Sequence, residues 1–246
     1  MDSGYYAAMT GLVARNQALD LAAANLANAQ TTGYRAEREF FRSALLGPDG
    51  TDSQLGRTVN NYGLLGGDQI SLAQGMLQQT GNPLDLAIQG QGFFEVMTAN
   101  GVRYTRDGSF HRTAKGQLLT DKGEEVLSVV GKPISLPTTG DLSVGKDGVI
   151  SVDGGTVAVL GVMTFPAGTQ LKPEGTNHYV APQGVKPVIA KDAEVYQGAL
   201  ESANQDVVQG TMELIVMQRQ AEMMQKALTI FHTDFNKTAS EDLPKV

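Results

Sequence analysis

The sequence predicts an α+β fold, mainly β: an all-β central domain of short strands, with long N- and C-terminal helices pairing as a coiled coil. Three observations predict it. Near the start, Tyr5, Leu12, Leu19 and Leu26 recur every seven residues. Near the end, Leu200, Val207, Leu214, Ala221, Leu228 and Phe235 do the same. Between them the apolar period falls to two, and turn dipeptides recur at short intervals. A seven-residue repeat holds one apolar stripe on one helix face and favours supercoiling. A period of two marks strands with one buried face. Long helices flanking a β body point to a protein that meets partners through its ends.

The first helix is predicted from Ser3 to about Thr32, roughly 30 residues and about 45 Å at 1.5 Å per residue. Alanine is frequent in it, which favours helix, and Gly33 is a natural stop. Between Ser3 and Gly33 only Arg15 and Asp20 are charged. A helix lying on a globule carries a charged outer face. This one offers Ala, Asn, Gln and Thr, which favours burial in an assembly over burial within its own fold. Asn25 and Asn28, three apart, would share one face, with short amides able to bond a neighbouring backbone. In a free subunit the uncovered helix is expected to be disordered until assembly.

Residues 34–81 read as an irregular connector. Ala36–Leu46 fits a short helix or a strand. Gly47-Pro48-Asp49-Gly50 reads as a loop, Asn60–Gly67 as turn-rich and Asp68–Thr80 as extended.

Residues 82–195 read as the β domain. Leu84, Leu86 and Ile88 alternate, and Phe93-Phe94-Glu95-Val96 follows a turn at Gly90-Gln91-Gly92. Asn100-Gly101 and Asp107-Gly108 are hairpin-type dipeptides. Asp147-Gly148 and Asp153-Gly154-Gly155 separate runs rich in Val and Ile. Pro133, Pro137, Pro166, Pro173, Pro182 and Pro187 exclude long helices here. With its strands and turns internally complete, this domain is expected to fold alone.

The second helix is predicted from Ala199 to Phe235, about 55 Å long. A second row, Ala203, Gly210, Met217, Met224 and Phe231, runs beside the Leu200 row. Gly210 costs a helix about 1 kcal/mol relative to Ala, and close approach of another backbone is a common reason to keep it. Leu214 and Met217, three apart, meet on one face. Residues 1–33 with 196–246 thus form the expected terminal helical domain, ending in a polar tail.

Composition narrows the function. The 246 residues are 41% apolar, enough for a packed core. Cysteine is absent, which removes disulfides and thiolate metal or redox sites. A net charge of −7 argues against nucleic-acid or anionic-membrane partners. No apolar run reaches the roughly 18 residues of a membrane span, so no membrane insertion is expected. Met1-Asp2-Ser3 lacks the basic start of a cleavable signal peptide, so composition alone reads as cytoplasmic. His111, His178 and His232 have no zinc-type spacing. Gly90-Gln91-Gly92 lacks the third glycine and following helix of a dinucleotide loop. The Asp-Gly pairs lack the spaced oxygens of a calcium loop. No catalytic, cofactor-binding or metal-binding residue is predicted, and the chain does not read as an enzyme.

Three segments carry a resemblance. The first is Asn25-Leu26-Ala27-Asn28 followed by Thr32-Gly33-Tyr34-Arg35. The second runs from Leu84-Asp85-Leu86-Ala87-Ile88 through Gly90, Gly92, Phe93 and Phe94 to Tyr104-Thr105-Arg106-Asp107-Gly108-Ser109-Phe110, closing with Gly116-Gln117-Leu118-Leu119-Thr120. The third is Leu200-Glu201-Ser202-Ala203-Asn204, then Met217-Gln218-Arg219. Together they resemble the axial rod and hook proteins of the bacterial flagellar basal body. Ala221 stands where that family often has an aromatic, separated by one residue from Gln-Arg. The length leaves no room for large outer domains, which points to a rod subunit, proximal ahead of distal.

The resemblance implies a structural component of a periplasm-spanning rod, polymerising through its terminal helices and transmitting torque. It implies copies of itself and other rod and hook proteins as partners, and passage through the flagellar type III export apparatus without a cleaved signal. It implies no cofactor. A β-rich carbohydrate-binding module or enzyme with helical extensions is the rival from another class. It predicts a pocket with convergent polar groups and leaves the neutral first helix unexplained. A cytoplasmic coiled-coil adaptor is a further rival, and it predicts charged flanks that this helix lacks.

Overall fold

The computed structural model describes residues 2–42 and 64–237. The predicted loop at 47–50, part of the turn-rich 60–67 stretch and the tail from 238 lie outside the described residues, as do the side chains of Tyr5, Phe231 and Phe235. The architecture is mainly β with one long helix near each end. In order these are α1 (Asp2–Ala27), β1 (Glu37–Arg42), β2 (Leu64–Ile70), β3 (Leu77–Gln79), β4 (Leu86–Gln89), β5 (Phe93–Thr98), β6 (Gly101–Thr105), β7 (Phe110–Arg112), β8 (Leu118–Thr120) and β9 (Glu125–Val126). There follow β10 (Leu142–Val144), β11 (Val149–Val152), β12 (Gly155–Val159), β13 (Val162–Thr164), β14 (Lys172–Glu174), β15 (His178–Val180), β16 (Val188–Ile189), β17 (Glu194–Gln197), β18 (Ala199–Glu201) and α2 (Val207–Lys237).

A nine-stranded sheet forms the centre, running β14-β15-β6-β5-β9-β8-β7, with β13 on β5 and β16 on β13. Smaller sheets join β10-β11-β12, β17-β4, β18-β3 and β1-β2. Alternation places Leu86, Ile88, Phe94, Val96, Phe110, Leu118, Val126 and Ile150 in the main core. Phe94 and Phe110 meet edge-on, with ring centroids 5.2 Å apart. A second cluster gathers Phe93, Tyr104, Met163, Leu171 and Tyr179.

The turn chemistry explains the hairpins. Val152 pairs with Gly155, leaving Asp153 and Gly154 as a two-residue loop with φ of +51° and +80°, the left-handed pair a tight hairpin requires. Thr98 pairs with Gly101, so the Asn100-Gly101 hairpin forms as expected. Asp107-Gly108 does not make one, because β6 and β7 are not neighbours. There the chain crosses over Leu86: the Leu86 amide donates to the Gly108 carbonyl at 3.0 Å, and a Cβ on Gly108 would meet the Leu86 carbonyl oxygen at 1.7 Å.

Both helices are shorter than their patterns predict. α1 ends at Ala27. Asn28 and Thr31 form a turn, the Thr31 amide donating to the Asn28 carbonyl at 2.9 Å. The Thr31 hydroxyl also donates to the Asn28 side-chain oxygen at 3.4 Å, and residues of these types favour turns over continued helix. α2 begins at Val207, behind Asp206, a residue type suited to a helix N-cap. Leu200 therefore lies in a strand, with Ala199, Leu200 and Glu201 paired to Gln79, Gln78 and Leu77. Its seven-residue spacing to Val207 is coincidental. The connector at 34–81 is also more regular than expected, since β1, β2 and β3 lie within it.

The chain divides into two compact units. One comprises Met1–Leu26, Arg38–Asp68 and Val207–Val246; the other comprises Ala27–Glu37 and Gln69–Asp206. The β unit thus extends beyond 82–195 at both ends and takes in the segment that follows α1.

Candidate functional site

The helical unit carries two kinds of apolar surface. On α2, Gly210, Ala221 and Leu228 are buried, and Leu214, Met217 and Met224 are half-buried. Their spacing alternates four and three residues. The two rows seen in the sequence therefore merge, from Gly210 onward, into one seam of heptad type. Val207 sits above it and is exposed. A second set lies off the seam: Val216, Met223 and Ile230, seven residues apart, are 50%, 62% and 60% exposed. Val208 and Met212 are exposed as well.

Among the described side chains of α1 the buried positions are Gly11, Ala14, Ala18 and Asn25, again spaced by threes and fours or their sums. Leu12, Leu19 and Leu26 are half-buried and flank this strip instead of forming its centre. Gly and Ala let another backbone come close, as the helix's small, neutral composition predicts. Asn28 has left the helix, so it does not share a helical face with Asn25.

The β unit brings the three resembling segments to one place. Glu201 from the third segment is 1% exposed, Arg35 from the first is 2% and Arg106 from the second is 3%. Arg35 Nη2 donates to Glu201 Oε1 and Arg106 Nη1 to Oε2, each at 2.8 Å. The Gly75 amide also donates to Oε1, at 2.8 Å. Two guanidiniums share one carboxylate, and carbonyls carry the remaining charge. Arg35 donates to Ala73, and Arg106 to Ile88 at 3.0 Å and Gly90 at 2.5 Å. Arg106 lies 5.4 Å over the Phe93 ring, a further contact suited to a cation. Burial pulls the Arg106 guanidinium down to about 10, which leaves it charged at neutral pH.

Asn204 completes the network. Its Oδ1 accepts from the Ala36 amide at 2.7 Å, and its Nδ2 donates to the carbonyls of Ser71 at 3.0 Å and Ala73 at 2.8 Å. The Tyr179 hydroxyl accepts from the Arg35 amide at 3.0 Å, and burial raises its pKa. Gly33 fits because it has no side chain: with φ of +68°, a Cβ would lie 2.3 Å from the Asp107 nitrogen. It serves this close approach, not the helix stop expected of it.

The other motif residues are structural in placement. The Asp85 carbonyl accepts from the Gly198 amide, and its carboxylate from Asn82, both at 2.8 Å. Thr105 donates to the Asn177 carbonyl at 2.7 Å, and Asn177 donates to the Asp107 carboxylate at 2.8 Å. Burial raises Asp107, against its bonds to Ser109. Leu84 packs against the main core, and a Cβ on Gly92 would press on Val162.

A polar cleft of about 350 Å³ opens past Asp107, lined by Gln30, Thr32, Lys122, Glu124 and His178 among others. Its charged groups are engaged with each other and with neighbouring polar groups. Lys122 donates to Asn177 at 2.7 Å, and His178 Nε2 lies 2.8 Å from Glu124, which also accepts from Thr120. Among the described residues, no three His, Cys, Asp or Glu side chains gather as metal ligands, and no helix is long and apolar enough to cross a membrane.

Sequence reasoning singled out Arg106 but not Glu201 or Asn204 as site residues. The signal was present: charged and amide residues among small and apolar ones in each resembling segment. Assigning Leu200 to a helix stripe concealed it.

A buried polar junction and a helix with exposed apolar surface are architectural features. Comparison with known proteins agrees. Residues 6–35 match the flagella basal body rod protein family, and residues 87–152 match the flagellar hook protein FlgE/F/G D1 domain. The chain is 32% identical to the flagellar basal-body rod protein FlgF of Caulobacter vibrioides over the full length of both chains. It is 33% identical to FlgF of Mesorhizobium japonicum, over 90% of each chain. It is 34% identical to the rod protein FlgG of Agrobacterium fabrum, over 90% of this chain and 92% of that one. The chain belongs to the flagellar basal-body rod protein family, whose role is structural.

Proposed function

We propose that this chain is a FlgF-type rod subunit that joins copies of itself and other rod and hook proteins through α1 and α2. The end-to-end match to a FlgF protein in both chains supports the type. The observation that carries the mode of assembly is the double character of α2, with one heptad seam buried and a second apolar row at Val216, Met223 and Ile230 exposed. A lone helix with exposed Met and Ile at seven-residue spacing has surface left for a further helix. In this reading Leu12, Leu19, Leu26, Leu214, Met217, Met224 and Leu228 belong to the pairing of the two helices as a coiled coil, and Tyr5 extends the same row. The motif residues Asp85, Phe94, Tyr104, Arg106 and Gly108 hold the β body. The assembly spans the periplasm and carries torque, and the subunit reaches it through the flagellar export route without cleavage of its N-terminus.

Mass spectrometry of purified hook–basal-body particles tests the reading. The intact chain, beginning at or next to Met1, is expected in the rod fraction. Its absence there, alongside presence in the soluble periplasm, rejects the reading.

A further inference from the structure

We infer that the network of Arg35, Arg106, Glu201 and Asn204 is a coupling device, making the ordering of the segment leaving α1 conditional on the segment entering α2. It goes beyond the rod reading and does not depend on it. Three strips of chain meet here: Gly33–Ala36, Ser71–Gly75 and Glu201–Asn204. None of them is held by a long ladder of its own. β18 pairs with β3 over three residues only.

Instead the strips satisfy one another. The Gly33 amide donates to the Glu201 carbonyl at 2.8 Å and the Asn204 amide to the Tyr34 carbonyl at 3.2 Å. The Ser71 amide donates to the Ala36 carbonyl and the Ser202 amide to the Met76 carbonyl. The Asn204 amide group bonds the two other strips at once. Glu201 bonds Arg35, Gly75 and Arg106, and Arg106 is anchored on the body through Ile88 and Gly90.

Withdrawing the 201–204 strip leaves two buried guanidiniums without their carboxylate and the amides of Gly33, Ala36 and Gly75 without acceptors. An unpaired buried charge is far costlier than a paired one, so half-assembled states are disfavoured and the three strips order together. The strips at 33–36 and 201–204 are then ordered jointly or not at all, although Arg35 and Glu201 are far apart in sequence.

Hydrogen exchange on the full-length chain tests this. Glu201→Gln keeps the shape of the side chain and removes its charge. Asn204→Ala leaves the ion cluster intact and removes the amide links. In each variant the account expects exchange at 33–36 and 71–75 to rise with that at 201–204, by the same factor, about a hundredfold for Glu201→Gln. Amides of β5 and β6 should keep their protection. Linkage also requires Arg35→Met to expose 201–204. A rise confined to 201–204, or unequal factors in the three strips, overturns the inference. So does loss of β5 and β6 protection in step with the strips in both variants, because the network would then be an undivided part of the global core.

Discussion

Single residues in this chain are constrained by polarity and by lack of space. At Gly33 an added methyl group would strike the backbone of Arg106 and Asp107, and the φ of +68° disfavours any side chain. Gly33→Ala should lower stability by several kcal/mol, read by denaturant melting. Gly81 also has a positive φ, with nothing within 4 Å of an added Cβ. Gly81→Ala should therefore cost only about 1 kcal/mol. Glu95 shows the opposite constraint. It is buried opposite Tyr104 on the neighbouring strand, and burial raises its carboxyl above the ordinary range while the Tyr104 bond opposes this. An acid raised in the folded state binds its proton more tightly there. Its contribution is favourable below the unfolded value and is lost as pH rises through the folded value. Glu95→Gln should therefore melt above the parent at neutral pH, with the gap closing in acid. A constant gap across pH contradicts the assignment.

At the scale of elements, the sequence revealed period and turn chemistry but not ends. Heptad rows exposed α2, and the alternation of Leu84, Leu86 and Ile88 exposed the first body strand. Leu200 fell on a heptad row by arithmetic alone, and the local sign that the helix starts later is Asp206, a residue type suited to an N-cap just before Val207. The rest of what separates them is tertiary, since Asn204 spends its amide on the backbones of Ala36, Ser71 and Ala73. The junction was illegible for the same reason. Its residues were visible one by one, but their convergence depends on strands whose pairing partners lie more than a hundred residues apart. This sets a test for the expectation that 82–195 folds alone. Such a fragment lacks β3, β18, Arg35 and Glu201 and strands Arg106 in the interior. It should melt well below a fragment of residues 27–206, by about 3–5 kcal/mol for the broken ion cluster. Equal melting of the two fragments would show that the junction adds nothing to the body. On α2 the two faces should also separate: Leu228→Ala removes a buried side chain and should cost about 2–5 kcal/mol in the monomer, whereas Met223→Asp should leave monomer melting within about 0.5 kcal/mol.

For the whole molecule, labour is divided between a β unit closed by its own polar junction and a helix, α2, with apolar surface to spare. An open helical assembly needs heterologous contacts, in which one face of a subunit meets a different face of the next. The exposed row on α2 is a surface of that kind, whereas the small-residue strip on α1 is already buried within the subunit. The most direct test places Met223→Asp and Ile230→Asp together in the full-length chain, then compares monomer melting with recovery in purified basal bodies. The account predicts a monomer that melts like the parent and a chain missing from the rod. Recovery of the double variant at the parent's abundance, with normal motility, would contradict it.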